Sequence, residues 1–162
     1  MVIVNQIGLA ISKNNIEEST NLYLCTMTEK VLKLLNQSDL RITAVRKDVL
    51  SVFLNADCAI TTATIEAALH QIDRITLYRT LKSFEEKGLI HSINDGSHNT
   101  KYALCEGHCD EDHHHDEHVH FHCNACGNTF CIEESSVPTI SLPSGYRVEN
   151  ASVIVNGICN KC

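Results

Sequence analysis

The sequence predicts an α+β fold built from two unlike halves, and three observations predict it. Apolar residues recur at helical spacing through residues 28–88, and residues 89–104 then change to the short runs typical of strands. The C-terminal part holds two Cys-x-x-Cys pairs, which indicate metal ligation. A chain of 162 residues can bury one core or two small domains. No apolar run approaches the roughly 18 residues that span a bilayer, so no membrane partner is expected.

Three candidate helices follow an N-terminal extension. Residues 1–26 have neither the basic start nor the cleavage site of a signal peptide, so we interpret them as a loose extension, with a short docking helix as the alternative. The first helix is expected at residues 28–37, the second after Thr43 as N-cap, and the third beginning near Thr62. The inward-facing residues predicted from their spacing are Val31, Leu34, Leu35, Val45, Val49, Val52, Phe53, Ile65 and Leu69.

The segment "DRITLYRTLKSFEEKGLI" predicts a fourth helix with well-marked ends. Asp73 is a favoured N-cap, and Gly88 stands where helices often end in a left-handed glycine. Leu77, Leu81 and Phe84 share the inward face of this helix. The residues predicted on its outer side are Thr76, Arg79 and Lys82, with Tyr78 at the edge.

Two strand candidates close this half of the chain. The runs "LIHSI" and "KYAL" flank the turn-rich "NDGSHNT". Helices followed by a two-stranded hairpin form the winged helix-turn-helix plan, in which a recognition helix enters the major groove of double-stranded DNA. We assign this domain to residues 27–104, and the alternative is an ordinary solvated helix face. The candidate DNA contacts are Arg46, Thr76, Tyr78, Arg79 and Lys82.

The charge distribution is uneven. The formal net charge is −7, which usually argues against a nucleic-acid partner. Residues 27–104, however, carry ten Lys/Arg against nine Asp/Glu, whereas residues 105–162 carry two against nine. The acidic groups are therefore concentrated in the half that would hold cations, and the first half must be judged alone.

Four cysteines in two pairs predict a structural metal ion. A Cys-x-x-Cys turn lets two sulfurs reach one ion, and two such turns complete the tetrahedral shell of a closed zinc site. A closed shell leaves no position for a substrate, so this Zn2+ would be structural. The alternative is a pair of disulfides, which a chain without a secretory signal, expected in the reducing cytoplasm, disfavours. The predicted ligands are Cys123, Cys126, Cys159 and Cys162.

The strand candidate "HVHFHC" predicts a second metal site. Because side chains alternate along a strand, its histidines would face away from Cys123 and toward a different ion. A site made of His91, Cys105, His118 and His120 would draw ligands from the hairpin side and from the second domain. Metal binding there would clamp the two domains, which is a mechanism for a switch. Mixed His/Cys ligation favours Zn2+ over harder ions.

Further candidate ligands surround this site. For His91 taken alone, a half-exposed strand histidine without a ligand role is the alternative. We interpret residues 105–122 as a His/Cys/acid-rich hinge loop followed by the first strand of the second domain, and residues 123–162 as the rest of that domain. The histidines at 113–115 lie in an acidic run without periodicity, which is typical of a mobile loop that binds metal weakly. The additional candidate ligands are Cys131, His122, His108 and Cys109.

With both halves in view, the sequence resembles the ferric uptake regulator family of metal-responsive repressors. The resemblance covers about residues 28–162 and rests on "LRITAVRKDVL", "ITLYRTLKSFEEKGLI", the His-rich run leading into "CNACG", and the terminal "GICNKC". It implies a homodimer with an N-terminal winged helix and a C-terminal α/β dimerisation domain, which represses metal-uptake genes when metal is bound.

The resemblance also implies roles for particular residues. It assigns DNA contact to Tyr78 and Arg79, and structural zinc to the four paired cysteines. The group His91, Cys105, His118 and His120 looks like the sensory site of the zinc uptake regulator branch. An iron, manganese or peroxide sensor of the same family is the alternative, although iron and peroxide sensors typically lack a cysteine at the position of Cys105.

Three departures from the family pattern bear on these expectations. Cys131 stands where the family often has an acidic sensory ligand. Val119 and Ala151 replace two ligands of a second regulatory site, so that site looks lost. Pro138 and Pro143 lie where a helix of the dimerisation domain is expected, and proline breaks helices.

Two other classes of protein were weighed. A zinc hydrolase or deaminase needs an open metal position and a general base, but the chain has no His-Glu-x-x-His motif. His122 also stands where the deaminase signature requires proline. The expectation is therefore that the protein is not an enzyme. A zinc chaperone or storage protein would explain the His/Cys loop but would have no use for a DNA-binding domain.

Overall fold

The computed structural model describes residues 26–105, 118–136, 141–147 and 151–162. The chain divides into two compact units, the first ending at Ile42 and the second covering Thr43–Cys162. The predicted features that lie outside the described residues include most of the N-terminal extension, His108, Cys109, the histidines at 113–115, and Pro138. In the described part of the chain, no helix combines the length and apolar character that crossing a membrane requires.

The first unit contains the helix α1, whose described part covers residues 26–37. Val31 and Leu35 are buried as predicted, together with Leu40 beyond the helix end, and Leu34 is half-buried. The backbone N–H of Leu40 donates to the carbonyl of Leu35 at 2.9 Å. Asp39 adopts a φ of 51°, the left-handed conformation that commonly ends a helix. The chain therefore leaves α1 through a tight turn.

The second unit begins with three helices whose caps follow the sequence signals. They are α2 (Ala44–Leu54), α3 (Thr62–Ala68) and α4 (Arg74–Glu86). Thr43 caps α2 by accepting from the Arg46 N–H at 3.3 Å, and Asp73 caps α4 by accepting from the Thr76 N–H at 2.8 Å. Gly88, just past the end of α4, has a φ of 61°. The predicted starts of α2 and α4 and the end of α4 are confirmed.

The helices pack around a shared apolar core. The predicted inward residues that are buried are Val49, Phe53, Ile65, Leu77, Leu81 and Phe84. Val45, Val52 and Leu69 are only half-buried, whereas Leu50, which the periodicity did not select, is fully buried. The buried face of α2 is therefore rotated toward Leu50 relative to the predicted one. Spacing predicts which residues form an apolar stripe, but the contacts of α2 with other elements decide which of them are covered.

The predicted hairpin is present, and because one further strand pairs with it, it belongs to a sheet of three strands. Its strands are β1 (Ile60–Thr61), β2 (Ile90–Ile93) and β3 (Lys101–Leu104), in the order β1-β3-β2 with antiparallel pairing. The added strand β1 is two residues long, which is too short to show an alternating pattern. It becomes a strand only because it pairs with β3.

The second sheet is formed by the C-terminal part of the chain. Its strands are β4 (His118–Cys123), β5 (Thr129–Ser136) and β6 (Val153–Gly157), in the order β5-β4-β6. The central strand β4 is antiparallel to β5 and parallel to β6. Between β5 and β6, the described residues 141–147 and 151–152 form no helix. This agrees with the departure that Pro143 indicates, while Pro138 lies outside the described residues.

The two sheets meet directly. The N–H of Ala59 donates to the carbonyl of Thr129 at 2.8 Å. Ala59 also forms a buried apolar cluster with Ile93 of β2 and Ala103 of β3, and two residues of the second sheet, Cys131 and Ile154, pack against this cluster. This junction brings His91 on β2 to the face of β4 that carries the histidines.

Candidate metal centres and nucleic-acid interface

The four-cysteine cluster forms where β4 and β6 end. Cys123 is the last residue of β4 and pairs in parallel register with Gly157, the last residue of β6. The turn after Cys123 is closed by the N–H of Gly127, which donates to the Cys123 carbonyl at 2.8 Å. Gly127 adopts a φ of 73°, which favours glycine. Parallel pairing therefore places the second Cys-x-x-Cys turn beside the first.

The sulfur positions match a tetrahedral site. The Sγ atoms of Cys123 and Cys162 lie 3.9 Å apart, as do those of Cys126 and Cys159, and Cys159 and Cys162 are separated by 3.5 Å. Four sulfurs held about 2.3 Å from one zinc ion stand about 3.8 Å from each other. No cysteine in the described part of the chain forms a disulfide. The cluster can therefore hold a single metal ion.

Hydrogen bonding separates the pKa values of these thiols. The backbone N–H groups of Cys126 and then Cys159 lower the pKa of Cys123 to about 6, because they stabilise its thiolate. Hydrogen bonds with the side chains of Cys159 and then Cys126 raise the pKa of Cys162 to about 12. Some thiols of the cluster therefore keep their protons at neutral pH, and binding of a metal ion would release them.

A second group of metal-ligating side chains lies between the two sheets. It contains His91 from β2, His118 and His120 from β4, and Cys131 from β5, each with a ligand atom within 4.8 Å of the others. The Nε2 atoms of His91 and His120 are 3.1 Å apart, and the Cys131 Sγ is 3.6 Å from the Nε2 of His91. Around a tetrahedral zinc ion the corresponding separations are about 3.3 Å and about 3.6 Å.

The chemistry of this group also fits a metal ion. His91 and His120 are only 3% and 2% exposed. The Nε2 atom of His118 is buried and has no hydrogen-bond partner among the described residues. A buried polar atom without a partner is costly, and coordination to a metal would satisfy it. Three imidazoles and one thiol form a donor set that suits zinc better than magnesium or manganese.

Two thiols lie close to the His91 ring of this group. Cys131, expected only as an additional ligand, lies among the three histidines, whereas Cys105 lies outside the group. The Cys105 Sγ is 3.5 Å from the Nδ1 atom of His91, on the edge of the ring opposite Cys131. The pairing register of β4 with β5 brings Cys131 to the histidines, because it sets Cys131 directly across from His120. Its position eight residues after Cys123 was the only sequence hint.

The remaining strand histidine is placed elsewhere. His122 was a candidate additional ligand, but its Nδ1 atom lies 3.1 Å from both the Asp95 carboxylate and the Thr129 hydroxyl oxygen. Asp95, in the hairpin turn, also forms a buried ion pair with Lys101 of β3 at 2.7 Å. Sequence reasoning missed this pair. The available signal was that Lys101 shares the inward face of β3 with Ala103.

The outer face of α4 is exposed as predicted. Tyr78 is 65% exposed, and Thr76, Arg79 and Lys82 are exposed as well. Two of the candidate DNA contacts on α4 have polar partners within the chain. The Thr76 hydroxyl donates to Asp73 at 2.8 Å, and the Lys82 ammonium lies 3.7 Å from Glu86.

The fifth candidate DNA contact lies on α2. Arg46 is half-buried and donates to the Ser83 hydroxyl of α4 at 3.0 Å. This hydrogen bond ties α2 to α4, as expected for a helix that supports a recognition helix. Arg46 is thus placed to hold α4 in position.

Comparison with known proteins identifies the family. The model of the ferric uptake regulator family matches residues 37–156. The ferric uptake regulation protein of Staphylococcus aureus is 31% identical over 142 residues, covering 83% of this chain and 97% of that protein. That of Campylobacter jejuni is 27% identical over 146 residues, covering 84% and 88%.

Solved structures share the fold. The Vibrio cholerae ferric uptake regulator superimposes with a TM-score of 0.53 at 18% identity, covering 78% of this chain and 98% of that chain. A zinc uptake regulator complexed with zinc and DNA gives a TM-score of 0.57 at 23% identity, covering 85% and 93%. The predicted α+β architecture, with a winged helix preceding a C-terminal domain, is therefore confirmed. The chain belongs to the ferric uptake regulator family, whose members are metal-responsive transcriptional regulators and not enzymes.

Proposed function

We propose that the protein is a zinc-responsive repressor that binds double-stranded operator DNA as a homodimer and controls metal-uptake genes. The observation that carries this proposal is the group of three imidazoles and a thiol between the hairpin and the C-terminal sheet. A thiol in place of a carboxylate supports zinc over manganese, which prefers oxygen donors, and over non-haem iron, whose sites commonly combine two histidines with a carboxylate. The four-cysteine cluster would hold a second, structural Zn2+.

The proposed sensory ligands come from two sides of one junction. His91 belongs to the hairpin of the DNA-binding half, whereas His118, His120 and Cys131 belong to the C-terminal sheet. A metal bound by both sides stabilises only the arrangement in which they are close together. Binding therefore shifts the population toward that arrangement, in proportion to the difference in affinity between the two states.

Two cysteines are candidates for the single thiol ligand of the proposed sensory site. The geometry favours Cys131, because it lies on the same edge of the His91 ring as His120. Coordination of the metal through the Nδ1 atom of His91, in place of Nε2, would make Cys105 the neighbouring thiol. In the first arrangement Cys105 would orient His91 from outside the site, as partners of metal-bound histidines commonly do.

The decisive experiment measures DNA binding against buffered free Zn2+, Fe2+ and Mn2+. The DNA used is a duplex that the zinc-loaded protein selects from a pool of random sequences. Zinc binds most protein sites more tightly than the other two ions, so tight zinc binding alone proves little. We expect that zinc raises DNA affinity by about 5–150-fold, the usual range of coupling, and that Fe2+ and Mn2+ fail to do so even when they saturate the site.

Two other outcomes would assign a different function. Activation of DNA binding by Fe2+ or Mn2+ at saturation, or its loss on peroxide treatment of the iron-loaded protein, would indicate an iron, manganese or peroxide sensor. Zinc uptake with no change in the affinity for any duplex would indicate a chaperone or storage protein. Sedimentation of the zinc-loaded protein tests the homodimer in the same preparation.

Removal of the Arg79 side chain tests the DNA interface. Arg79→Ala should weaken binding to the selected duplex and lower the slope of log affinity against log salt by about one, because one fewer phosphate would be neutralised. Arg147→Ala is the matched control, since it removes the same charge from an exposed position in the C-terminal part. Equal affinities and slopes for the Arg79 variant and the wild type would remove Arg79 from the contact surface.

A further inference from the structure

A buried polar cluster joins the hairpin to the C-terminal sheet beside the proposed sensory site. We call it the hairpin clasp and define it by Asp95, Lys101, His122, Thr129 and the carbonyl of Gly127. Asp95 and Lys101 belong to the hairpin and are only 6% and 7% exposed. The other members belong to β4, β5 and the turn between them. The clasp therefore contains groups from both sides of the junction.

The hydrogen bonds of the clasp are arranged so that each donor meets an acceptor. The Lys101 ammonium donates to the Asp95 carboxylate at 2.7 Å, to the Thr129 hydroxyl oxygen at 2.9 Å, and to the Gly127 carbonyl. The Thr129 hydroxyl in turn donates to Asp95. His122 contributes its Nδ1 atom to the same carboxylate oxygen. The other carboxylate oxygen accepts from the N–H of Ser97 at 2.9 Å, inside the hairpin turn.

Electrostatics favours the paired state of the clasp. Burial by itself raises the pKa of Asp95, but hydrogen bonds from Lys101, Ser97 and Thr129 outweigh that effect and hold the pKa well below its usual value. The carboxylate therefore stays charged opposite the Lys101 ammonium. Both charges lie on the hairpin, so separating the two sides of the junction would keep the ion pair. It would break the bonds from Lys101 to Thr129 and Gly127, and the contacts of Thr129 and His122 with Asp95.

The clasp and the sensory group occupy neighbouring positions on the same strands. On the second sheet, His120 pairs with Cys131, and the next pair along the strands is His122 with Thr129. On the hairpin, His91 pairs with Ala103, and two residues further Ile93 pairs with Lys101. Residues two apart on a strand lie on the same face and about 6.6 Å from each other. Any shift of the hairpin at the clasp must therefore move His91 relative to His120.

We propose that the hairpin clasp positions His91 against the ligands of the C-terminal sheet, so that the sensory site is held near its binding arrangement before metal arrives. This inference rests on the proposed function, because it assigns the clasp a task in metal sensing. A site whose ligands are prearranged binds more tightly, since the apparent affinity scales with the fraction of molecules in the competent arrangement. The members of the clasp act as positioning residues and not as ligands.

The test compares metal affinity in variants that leave every proposed ligand unchanged. Removing one charge would leave the other buried and unpaired, so Asp95→Asn and Lys101→Met are combined. Thr129→Val is a second variant, which keeps both charges and removes only the shared hydroxyl. The control combines Glu66→Gln with Arg74→Met, because this pair has the same charges at 3.1 Å, is more exposed and lies outside both groups of metal-ligating residues.

The measurement is a Co2+ titration of protein that already carries one Zn2+ per chain, followed by competition with Zn2+. If loss of the clasp lowers the competent fraction to about a tenth, the apparent affinity of the second site falls about tenfold. The absorption spectrum at saturation should stay unchanged, because the ligands are the same. A smaller decrease is expected for Thr129→Val, and none for the control pair.

Several outcomes separate this inference from its alternatives. Wild-type affinity in both clasp variants would overturn it, and so would a changed spectrum at saturation, which would mean that the variants disturb the ligands themselves. DNA binding by the wild-type protein is measured in parallel. A wild-type protein that ignores zinc in that assay contradicts the proposed function, whereas the metal titration without DNA tests the clasp alone.

Discussion

Replacing Cys126 or Cys162 with serine should abolish the cooperative folding of the C-terminal sheet. Structural zinc contributes about 10–16 kcal/mol of apparent binding free energy in small domains. That is comparable to the entire stability of a typical protein, about 5–15 kcal/mol. The sheet described here has three strands and few buried residues, so it depends on the four-cysteine cluster. Thermal melting, sedimentation and zinc content per chain of Cys126→Ser and Cys162→Ser provide the measurement.

The chain supplies its own control for this experiment. Cys58 is half-buried and lies outside both groups of metal-ligating residues. Cys58→Ser makes the same chemical change and should retain the melting temperature, the zinc content and the oligomeric state of the wild type. Unchanged melting and sedimentation in Cys126→Ser and Cys162→Ser would show that the paired cysteines do not form a structural site.

Loss of a sensory ligand is the second large effect. His91→Ala and His120→Ala should each give a folded protein that keeps the zinc of its four-cysteine cluster but no longer responds to added zinc. Without ligands from both sides of the junction, zinc has no greater affinity for the closed arrangement, so it cannot shift the population. We expect the zinc-dependent gain in DNA affinity, about 5–150-fold in coupled systems, to fall to nearly one. DNA titrations with and without excess zinc measure this gain.

Three further variants define which residues belong to the sensory site. His98→Ala removes an exposed histidine from the same hairpin and should keep the zinc response. Cys131→Ala should abolish the response if Cys131 supplies the thiol. Cys105→Ala should then only weaken zinc binding, by about 10–100-fold, as expected for a partner that orients a ligand. The reverse order of effects would assign the thiol to Cys105.

The histidines at 113–115 need their own test. Replacing them should matter much less than replacing His91, because the sequence predicts only weak metal binding there, and weak binding cannot clamp two domains. Loss of the zinc response in this variant, with the response kept in His91→Ala, would show that the sensor does not lie between the two sheets.

Much of the fold follows from local signals that the sequence determines by itself. Thr43 and Asp73 cap helices because their side chains accept hydrogen bonds from N–H groups three residues away. Gly88 ends α4 because glycine adopts a positive φ without strain. Each Cys-x-x-Cys turn is equally local, since it brings its own two sulfurs together, although the pairing of β4 with β6 is what places the two turns side by side. Interactions over three or four residues leave a readable spacing, and the sequence determined these features.

Other features were decided only by the tertiary structure. Cys131 joins the histidine group because β5 pairs with β4 in a register that sets it across from His120. Asp95 and Lys101 form a buried pair because the hairpin packs on residues 122–129 of the second sheet. The strand β1 exists because β3 is beside it. In each case the contact or its burial depends on how whole strands align, and not on residues that are neighbours in the sequence. A one-residue change of register would turn every side chain to the opposite face, so no short stretch of sequence could have specified these contacts.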